Sequence, residues 1–75
     1  MDETALVEEA REGNLDAFNR LILEYQDMAF NLAARMLNDD DTAADVTQTA
    51  FLSAYRNLDS FRGGSFRAWV MRMVS

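Results

Sequence analysis

The sequence of 75 residues contains no cysteine, histidine or proline, and it has three glycines. Without cysteine the chain can form neither a disulfide framework nor a thiolate metal site. The lack of histidine removes the commonest general base and the commonest metal ligand. We therefore expect a protein that is not an enzyme and that holds no metal or other cofactor.

The sequence also lacks any uninterrupted apolar run of about 18 residues, which is the length that a membrane-spanning helix requires. It begins MDETALVEEAREG, an acidic stretch where a secretory signal peptide carries positive charge. These absences predict a cytoplasmic protein without membrane insertion. The apolar content of 49% favours one small folded domain, and a domain of this size buries only about 60% of its unfolded surface.

Charge is distributed unevenly along the chain. Residues 1–45 carry 12 acids and three arginines, a formal charge of −9, whereas residues 46–75 carry one acid and four arginines, a formal charge of +3. Either the two halves face different partners, or the acidic half is a solvated helical surface. The basic half ends in DSFRGGSFRAWVMRM, which places three arginines and three aromatic rings around a pair of glycines.

Apolar residues recur at helical spacing and no segment alternates with a period of two, so the sequence predicts an all-α bundle of about four helices. We expect helices over about residues 3–12, 15–38 and 42–57, and a fourth helix after Ser65. Gly13 should end the first helix, and Asn14 and Ser65 should cap the second and fourth. The third should be capped by Asp40 or Asp41.

The same periodicity predicts which residues are buried. The first helix should bury Leu6, Val7 and Ala10. The second should bury Phe18, Leu21, Ile22, Tyr25, Met28, Ala29, Leu32, Met36 and Leu37. The third should bury Ala43, Ala50, Phe51, Ala54, Tyr55 and Leu58, and the fourth Phe66, Trp69, Val70 and Met73.

Two short motifs partly match ligand-binding loops, and neither has the full pattern that its ligand requires. NDDDT at residues 38–42 lacks the alternating ligands, the turn glycine and the distal glutamate of a calcium loop, so we interpret it as an interhelical turn. RGG at residues 62–64 follows no predicted strand and lacks the Lys-Ser/Thr of a phosphate-binding loop.

The outward face of the predicted third helix has the composition of a protein-binding surface. At 100° per residue, five side chains fall within about 100° of one another, opposite the apolar positions. They are Asp45, Gln48, Thr49, Leu52 and Arg56. A leucine among hydrogen-bonding groups is typical of a protein interface, and the acid at Asp45 favours a basic partner. The alternative is a single exposed leucine, which is ordinary on protein surfaces.

The segment 59–73 combines features of a nucleic-acid site. Arginines neutralise phosphates, exposed aromatic rings stack on unpaired bases, and Gly63 and Gly64 allow a backbone to approach closely. The alternative is that the rings are core, since Phe66 and Trp69 match helical spacing. We expect a mixture in which these rings pack while the loop from Phe61 to Ser65 stays open.

The motifs together resemble region 2 of the bacterial σ factors of RNA polymerase, in the extracytoplasmic-function group. LVEEAREGNLDAFNRLILEYQDMAFNLAARML is similar to the family's first two helices. DVTQTAFLSAYRNLDSFRGGSFRAW matches its D-x-x-Q, F-x-x-A-Y-R, F-R-G and F-x-x-W motifs in the family's order. The resemblance covers essentially the whole chain and implies a helical domain without catalysis that serves promoter recognition.

The resemblance also implies partners for both candidate surfaces. Asp45 and Gln48 match family positions that dock on the clamp helices of the polymerase β′ subunit, and Thr49, Leu52 and Arg56 share their face. The loop and the next helix would bind the minus-ten promoter element, capturing the single-stranded non-template strand. The DNA-binding residues would be Phe61, Arg62, Gly63, Gly64, Ser65, Arg67, Trp69 and Arg72.

Departures from the family pattern qualify these expectations. The loop is one residue shorter than the commoner form, which predicts a base pocket that is either tighter or differently selective. Thr49 replaces a frequent glutamate, which predicts a weaker attraction to a basic clamp. Residues 1–75 are expected to be the N-terminal fragment of a longer two-domain σ factor. The alternative function is a helical interaction module that binds a regulator, such as an anti-σ factor, without contacting DNA.

Overall fold

The computed structural model describes residues 2–75, which form four α-helices: α1 (Glu3–Arg11), α2 (Leu15–Leu37), α3 (Asp40–Arg56) and α4 (Phe66–Val74). A short 3₁₀ turn, Leu58–Ser60, lies between α3 and α4. Helix α1 packs on α2, and α2, α3 and α4 pack on one another. No strand occurs in the described residues, and the prediction of an all-α bundle is confirmed. Within the same range, no helix has the length and apolarity needed to cross a membrane.

Three of the predicted helix ends are confirmed. Gly13 follows α1 with a φ of +99°, a left-handed conformation that glycine adopts without strain. The Asn14 side chain accepts a hydrogen bond from the Ala17 amide at 3.3 Å. Ser65 Oγ accepts one from the Ala68 amide at 3.1 Å, so α4 begins where the sequence predicts.

The predicted cap of α3 is wrong by one or two positions. Asp39 is the cap: its carboxylate accepts hydrogen bonds from the Asp41 amide at 3.2 Å and from the Thr42 hydroxyl at 2.6 Å. The Thr42 hydroxyl thereby holds the pKa of Asp39 below its ordinary value. Asn38 ends α2 in the left-handed region, with φ 54°, so the chain reverses at one residue and Asp40 already lies in the first turn of α3.

Four alanines of α2 and α3 lie in the core. Ala29 and Ala33 of α2 and Ala43 and Ala54 of α3 are completely buried. Small side chains at such positions allow packed helices to approach closely. Larger residues from all four helices fill the rest of the core, including Leu6, Val7, Phe18, Leu21, Phe51, Phe66 and Val70.

Four burial predictions are wrong. Met28, Met36 and Leu37 of α2 and Tyr55 of α3 are exposed. Around the helix axis, Met36 and Leu37 lie about 60° and 40° to either side of Ala33. The neighbouring helices therefore cover Ala33 without covering the residues on either side of it in the last turn of α2. Ile22, Tyr25, Leu32, Trp69 and Met73 are partly buried against the core.

Three aromatic rings hold α4 to the rest of the bundle. The Phe61 ring centroid lies 5.7 Å from that of Phe66 and 5.3 Å from that of Trp69, and the Phe66 and Trp69 centroids are 5.7 Å apart. Phe66 is only 1% exposed. Phe61 is also buried, at 7% exposure, so the expectation that it belongs to the open loop is wrong. The 3₁₀ turn before it directs its ring back toward the core.

A tyrosine hydroxyl joins α1 to α2. Tyr25 donates a hydrogen bond to Glu3 Oε1 at 2.5 Å. This bond, partial burial and the negative charge of Glu3 raise the pKa of Tyr25 from 10.0 to about 12. Because the folded pKa is the higher one, the neutral phenol stabilises the folded chain below pH 10, and this contribution is lost as the pH rises toward 12.

Alkaline titration of a Tyr55→Phe variant tests this contact. The chain has two tyrosines and no lysine, cysteine or histidine, so the variant leaves one phenol to follow by ultraviolet absorbance. We expect a midpoint of about 12 for Tyr25. Glu3→Gln should move that midpoint back toward 10.0, since it replaces the carboxylate that accepts the hydrogen bond by a weaker, neutral acceptor and removes the negative charge. A midpoint that is the same with and without Glu3 would contradict the assignment.

Candidate functional site

An open groove lies between the 3₁₀ turn and α4, and we call it the loop groove. It has a volume of about 490 Å³. Its lining residues are Ser60, Phe61, Arg62, Gly63, Ser65, Ala68, Trp69 and Arg72. The fold therefore brings together six of the eight residues that the sequence assigned to DNA binding, and Gly64 lies in the same loop between Gly63 and Ser65.

The backbone conformation of the loop requires its two glycines. Gly63 and Gly64 have φ angles of +96° and +80°, which other residues adopt only with strain. A Cβ atom placed on either residue would meet no other atom within 4 Å, so the surroundings are open. The loop thus presents bare backbone to solvent, and a ligand can reach it without displacing any side chain.

The charge of the loop groove is positive. Arg62 and Arg72 are exposed and line it, and Asp59 is the only acid in the segment 46–75. Trp69 is partly buried, with its ring packed on Phe61. Two exposed guanidinium groups beside a partly buried indole and an open backbone suit a ligand that carries phosphates and flat rings.

The structure does not place Arg67 in the loop groove. Its Nε lies 3.0 Å from the sulfur of Met28, so the side chain extends over α2. Arg67 and Arg72 are five residues apart, which separates them by about 140° around the axis of α4. The prediction that grouped Arg67 with Arg62 and Arg72 is therefore corrected: helical geometry turns it toward the neighbouring helix.

A residue of α1 contacts the base of the loop, and the sequence did not reveal it. The Arg11 guanidinium donates hydrogen bonds to the carbonyl oxygens of Leu58, at 3.3 Å, and Phe61. It also pairs with Glu8 at 2.7 Å and lies over the Phe61 ring, 5.9 Å from its centroid. Since about 50 residues separate these partners in the chain, no local pattern could have identified the contact.

The outward face of α3 is confirmed as an exposed surface, which we call the α3 face. Asp45, Gln48, Thr49, Leu52 and Arg56 are all exposed, and Leu52 is 50% exposed. Leu52 and Gln48 border an apolar groove of about 410 Å³ between α2 and α3. Its lining residues are Leu15, Phe18, Ile22, Gln26, Thr47, Gln48, Phe51, Leu52 and Tyr55.

The apolar groove extends the α3 face with residues that sequence reasoning missed. Leu15 of α2 is 58% exposed, and Tyr55, predicted to be core, is at the surface. Thr47 at the groove floor is buried, and its hydroxyl donates to the Ala43 carbonyl at 2.8 Å. The face therefore offers an apolar centre with polar groups at its edge.

Residues 2–75 contain no group of three acidic, histidine or cysteine side chains that could hold a metal ion.

Comparison with known proteins identifies relatives that share this architecture. The family described as Sigma-70 region 2 matches residues 21–75. The RNA polymerase sigma-H factor of Pseudomonas aeruginosa is 44% identical over 70 residues, which cover 92% of this chain and 36% of that protein. The ECF RNA polymerase sigma-E factor of Escherichia coli is 42% identical over 75 residues, covering 99% of this chain and 39% of that protein.

A solved structure has the same fold. An engineered region 2 of sigmaE, determined by NMR in complex with GTAAAA, superposes with a TM-score of 0.89. It is 37% identical in sequence, and the match covers 99% of this chain and 78% of that one. The chain described here thus spans less than two fifths of the two sigma factors above and nearly four fifths of this isolated region.

Proposed function

The chain belongs to the Sigma-70 region 2 family, in its extracytoplasmic-function type, and from this premise we propose that it binds core RNA polymerase and opens promoter DNA. It acts in the cytoplasm as the region 2 domain, residues 1–75, of a longer two-domain σ factor. It serves transcription initiation by binding polymerase and promoter DNA, without a covalent step.

The loop groove is the proposed site for the non-template strand of the minus-ten element. The observation that carries this proposal is the convergence of Arg62, Arg72 and Trp69 on a glycine loop of open backbone. The similar fold of the sigmaE region in complex with GTAAAA supports it. Binding energy for the single-stranded form shifts the duplex toward melting, because the groove has no equivalent interaction with paired bases.

The proposed DNA-binding residues have different roles. Arg62 and Arg72 neutralise phosphates, and Gly63, Gly64 and Ser65 offer backbone groups to a base. Trp69 borders the groove, whereas the buried ring of Phe61 supports the loop from beneath. Arg67 lies outside the groove and contributes at most at long range.

Binding to a single-stranded oligonucleotide tests the proposed site. The full chain is titrated into fluorescein-labelled GTAAAA at low salt, and anisotropy gives the Kd. We expect binding that is at least about tenfold tighter for GTAAAA than for its duplex form, since exposed bases are the ligand. Equal affinity for the two forms, or no affinity for either, would contradict the proposal. If the chain binds polymerase and does not bind the oligonucleotide, the result would instead favour the alternative function, a protein-interaction module.

The α3 face is the proposed docking surface for the clamp helices of the polymerase β′ subunit. It combines an apolar centre, formed by Leu52 and the adjoining groove, with hydrogen-bonding groups at Gln48 and Thr49. Asp45 supplies a negative charge that attracts a basic partner. An anti-σ factor that competes with polymerase is proposed to use the same face.

Substitutions on the α3 face should weaken polymerase binding. We expect Asp45→Arg and Leu52→Asp each to lower affinity for core polymerase by at least about tenfold, and Gln48→Ala by less, because central interface residues dominate binding energy. Asp27→Arg on α2 and Asn31→Ala are matched controls on exposed positions away from this face. Pull-down and surface plasmon resonance measure the effect; unchanged binding by all three face variants would exclude this surface.

A further inference from the structure

The loop that forms the groove is attached at two points. At its far end, Ser65 caps α4, with its Oγ accepting from the Ala68 amide. At its near end, the chain leaves the 3₁₀ turn at Phe61, whose amide donates to the Leu58 carbonyl at 3.1 Å. Arg62, Gly63 and Gly64 lie between these points with exposed side chains or none. The direction in which they project therefore depends on how firmly each attachment point is held.

Arg11 is bound to the near attachment point by several contacts at once. Its Nε donates to the Leu58 carbonyl, the same oxygen that accepts from the Phe61 amide, and its Nη2 donates to the Phe61 carbonyl. Its guanidinium also faces the Phe61 ring. The planar fork of arginine suits two acceptors whose separation is set by the turn. Among the described residues, Arg11 supplies the side-chain hydrogen bonds from α1 to this segment.

We propose that Arg11 is a positioning residue for the DNA-binding loop: it orders the 3₁₀ turn from α1 and so sets the direction in which Arg62, Gly63 and Gly64 leave Phe61. The inference rests on the proposed function of the loop groove. Ordering before binding raises affinity because less conformational entropy is lost when the strand arrives.

Positioning and direct phosphate contact differ in their dependence on salt. A side chain that contacts a phosphate releases counterions, so its loss reduces the slope of log K against log salt by about 0.7 for a single strand. A side chain that only orders the loop changes affinity and leaves that slope unchanged. Arg11 is already engaged with two carbonyls and Glu8, so we expect the second behaviour.

The first measurement needs no DNA. Arg11→Met keeps a long side chain over the Phe61 ring and removes all the donors. In amide hydrogen exchange followed by NMR, we expect the Ser60 and Phe61 amides to exchange about fivefold faster in this variant, the equivalent of one net hydrogen bond. The Ala54 amide of α3 reports global opening and should change less. Uniform acceleration at all three amides, or none, overturns the inference.

The second measurement uses labelled GTAAAA over a range of salt concentrations. We expect Arg11→Met to raise the Kd about fivefold with an unchanged salt slope, which is the affinity counterpart of the looser turn. Arg11→Lys should recover part of the loss, since its ammonium can serve one carbonyl at a time. A slope reduced by about 0.7 would identify a phosphate contact instead and overturn the positioning role.

Two variants control for charge and for the ion pair. Arg35→Met removes the same charge from the exposed end of α2, and Glu8→Gln breaks the pair with Arg11 while leaving its carbonyl bonds. Both should leave the exchange of Ser60 and Phe61 unchanged. If the wild-type chain does not bind GTAAAA, the proposed function fails and the DNA part of the inference fails with it. Equal exchange in wild type and Arg11→Met rejects the inference alone.

Discussion

Replacement of Phe66 by alanine is expected to lower the free energy of unfolding by about 3–5 kcal/mol. Phe66 is 1% exposed, and its ring contacts those of Phe61, Trp69 and Tyr25, with centroids 5.7, 5.7 and 6.1 Å away. Truncation leaves a cavity where α4 meets the bundle. A domain of this length has a total stability on the order of 4–11 kcal/mol, so the substitution should remove a large fraction of that stability.

Urea denaturation followed by two probes measures this effect. Trp69 is the only tryptophan and packs on Phe66, so its fluorescence reports the attachment of α4, while circular dichroism reports all four helices. Phe66→Leu, which keeps most of the apolar volume, is the matched control and should cost about 1 kcal/mol. A loss below about 1 kcal/mol for Phe66→Ala would show that the aromatic contacts do not hold the bundle together.

The double variant Arg62→Ala, Arg72→Ala is expected to weaken binding to single-stranded GTAAAA about a hundredfold. Each arginine lines the loop groove and is exposed to a strand that enters it. Loss of two hydrogen bonds to charged groups, at about 1.5 kcal/mol each, accounts for this factor. The slope of log K against log salt should fall by about 1.4, the value for two phosphates of a single strand.

Two controls decide whether the location of the arginines matters. Arg20→Ala, Arg35→Ala removes equal charge from exposed positions of α2 and should change the Kd by less than about fivefold with little change in slope, since no phosphate contact is lost. Arg67→Ala is the stricter control, because the sequence groups Arg67 with the DNA-binding residues and the structure turns it over Met28. If Arg67→Ala raised the Kd for GTAAAA as much as Arg72→Ala does, the assignment of DNA binding to the loop groove would be refuted.

Much of the candidate site could be predicted because it depends on local chemistry. The glycine pair permits the positive φ angles that the loop adopts, and Ser65 can accept from the Ala68 amide within one helical turn. The exposure of Leu52 beside Gln48 follows from helical periodicity once Ala50 and Ala54 face the core. The order and spacing of the motifs supplied the family resemblance, which the comparisons confirm.

Some expectations failed where a residue's environment depends on a partner distant in the chain. Met36 and Leu37 fit the apolar stripe of α2, yet they are exposed on either side of the buried Ala33. Periodicity gives the direction of a side chain around its own helix, and it contains no information on how much of that helix a neighbour covers. Tyr55 on α3 is exposed for the same reason.

The sequence alone determined the four helices, three of the helix ends, the glycine loop and the outward face of α3. Each of these features depends on neighbours within about one or two turns of the chain. Tertiary structure decided which arginines share the groove and what holds its loop. Phe61 is buried because the 3₁₀ turn returns its ring to Phe66, and Arg67 extends over Met28. Arg11 reaches the Leu58 and Phe61 carbonyls only because packing brings α1 beside a turn about 50 residues away.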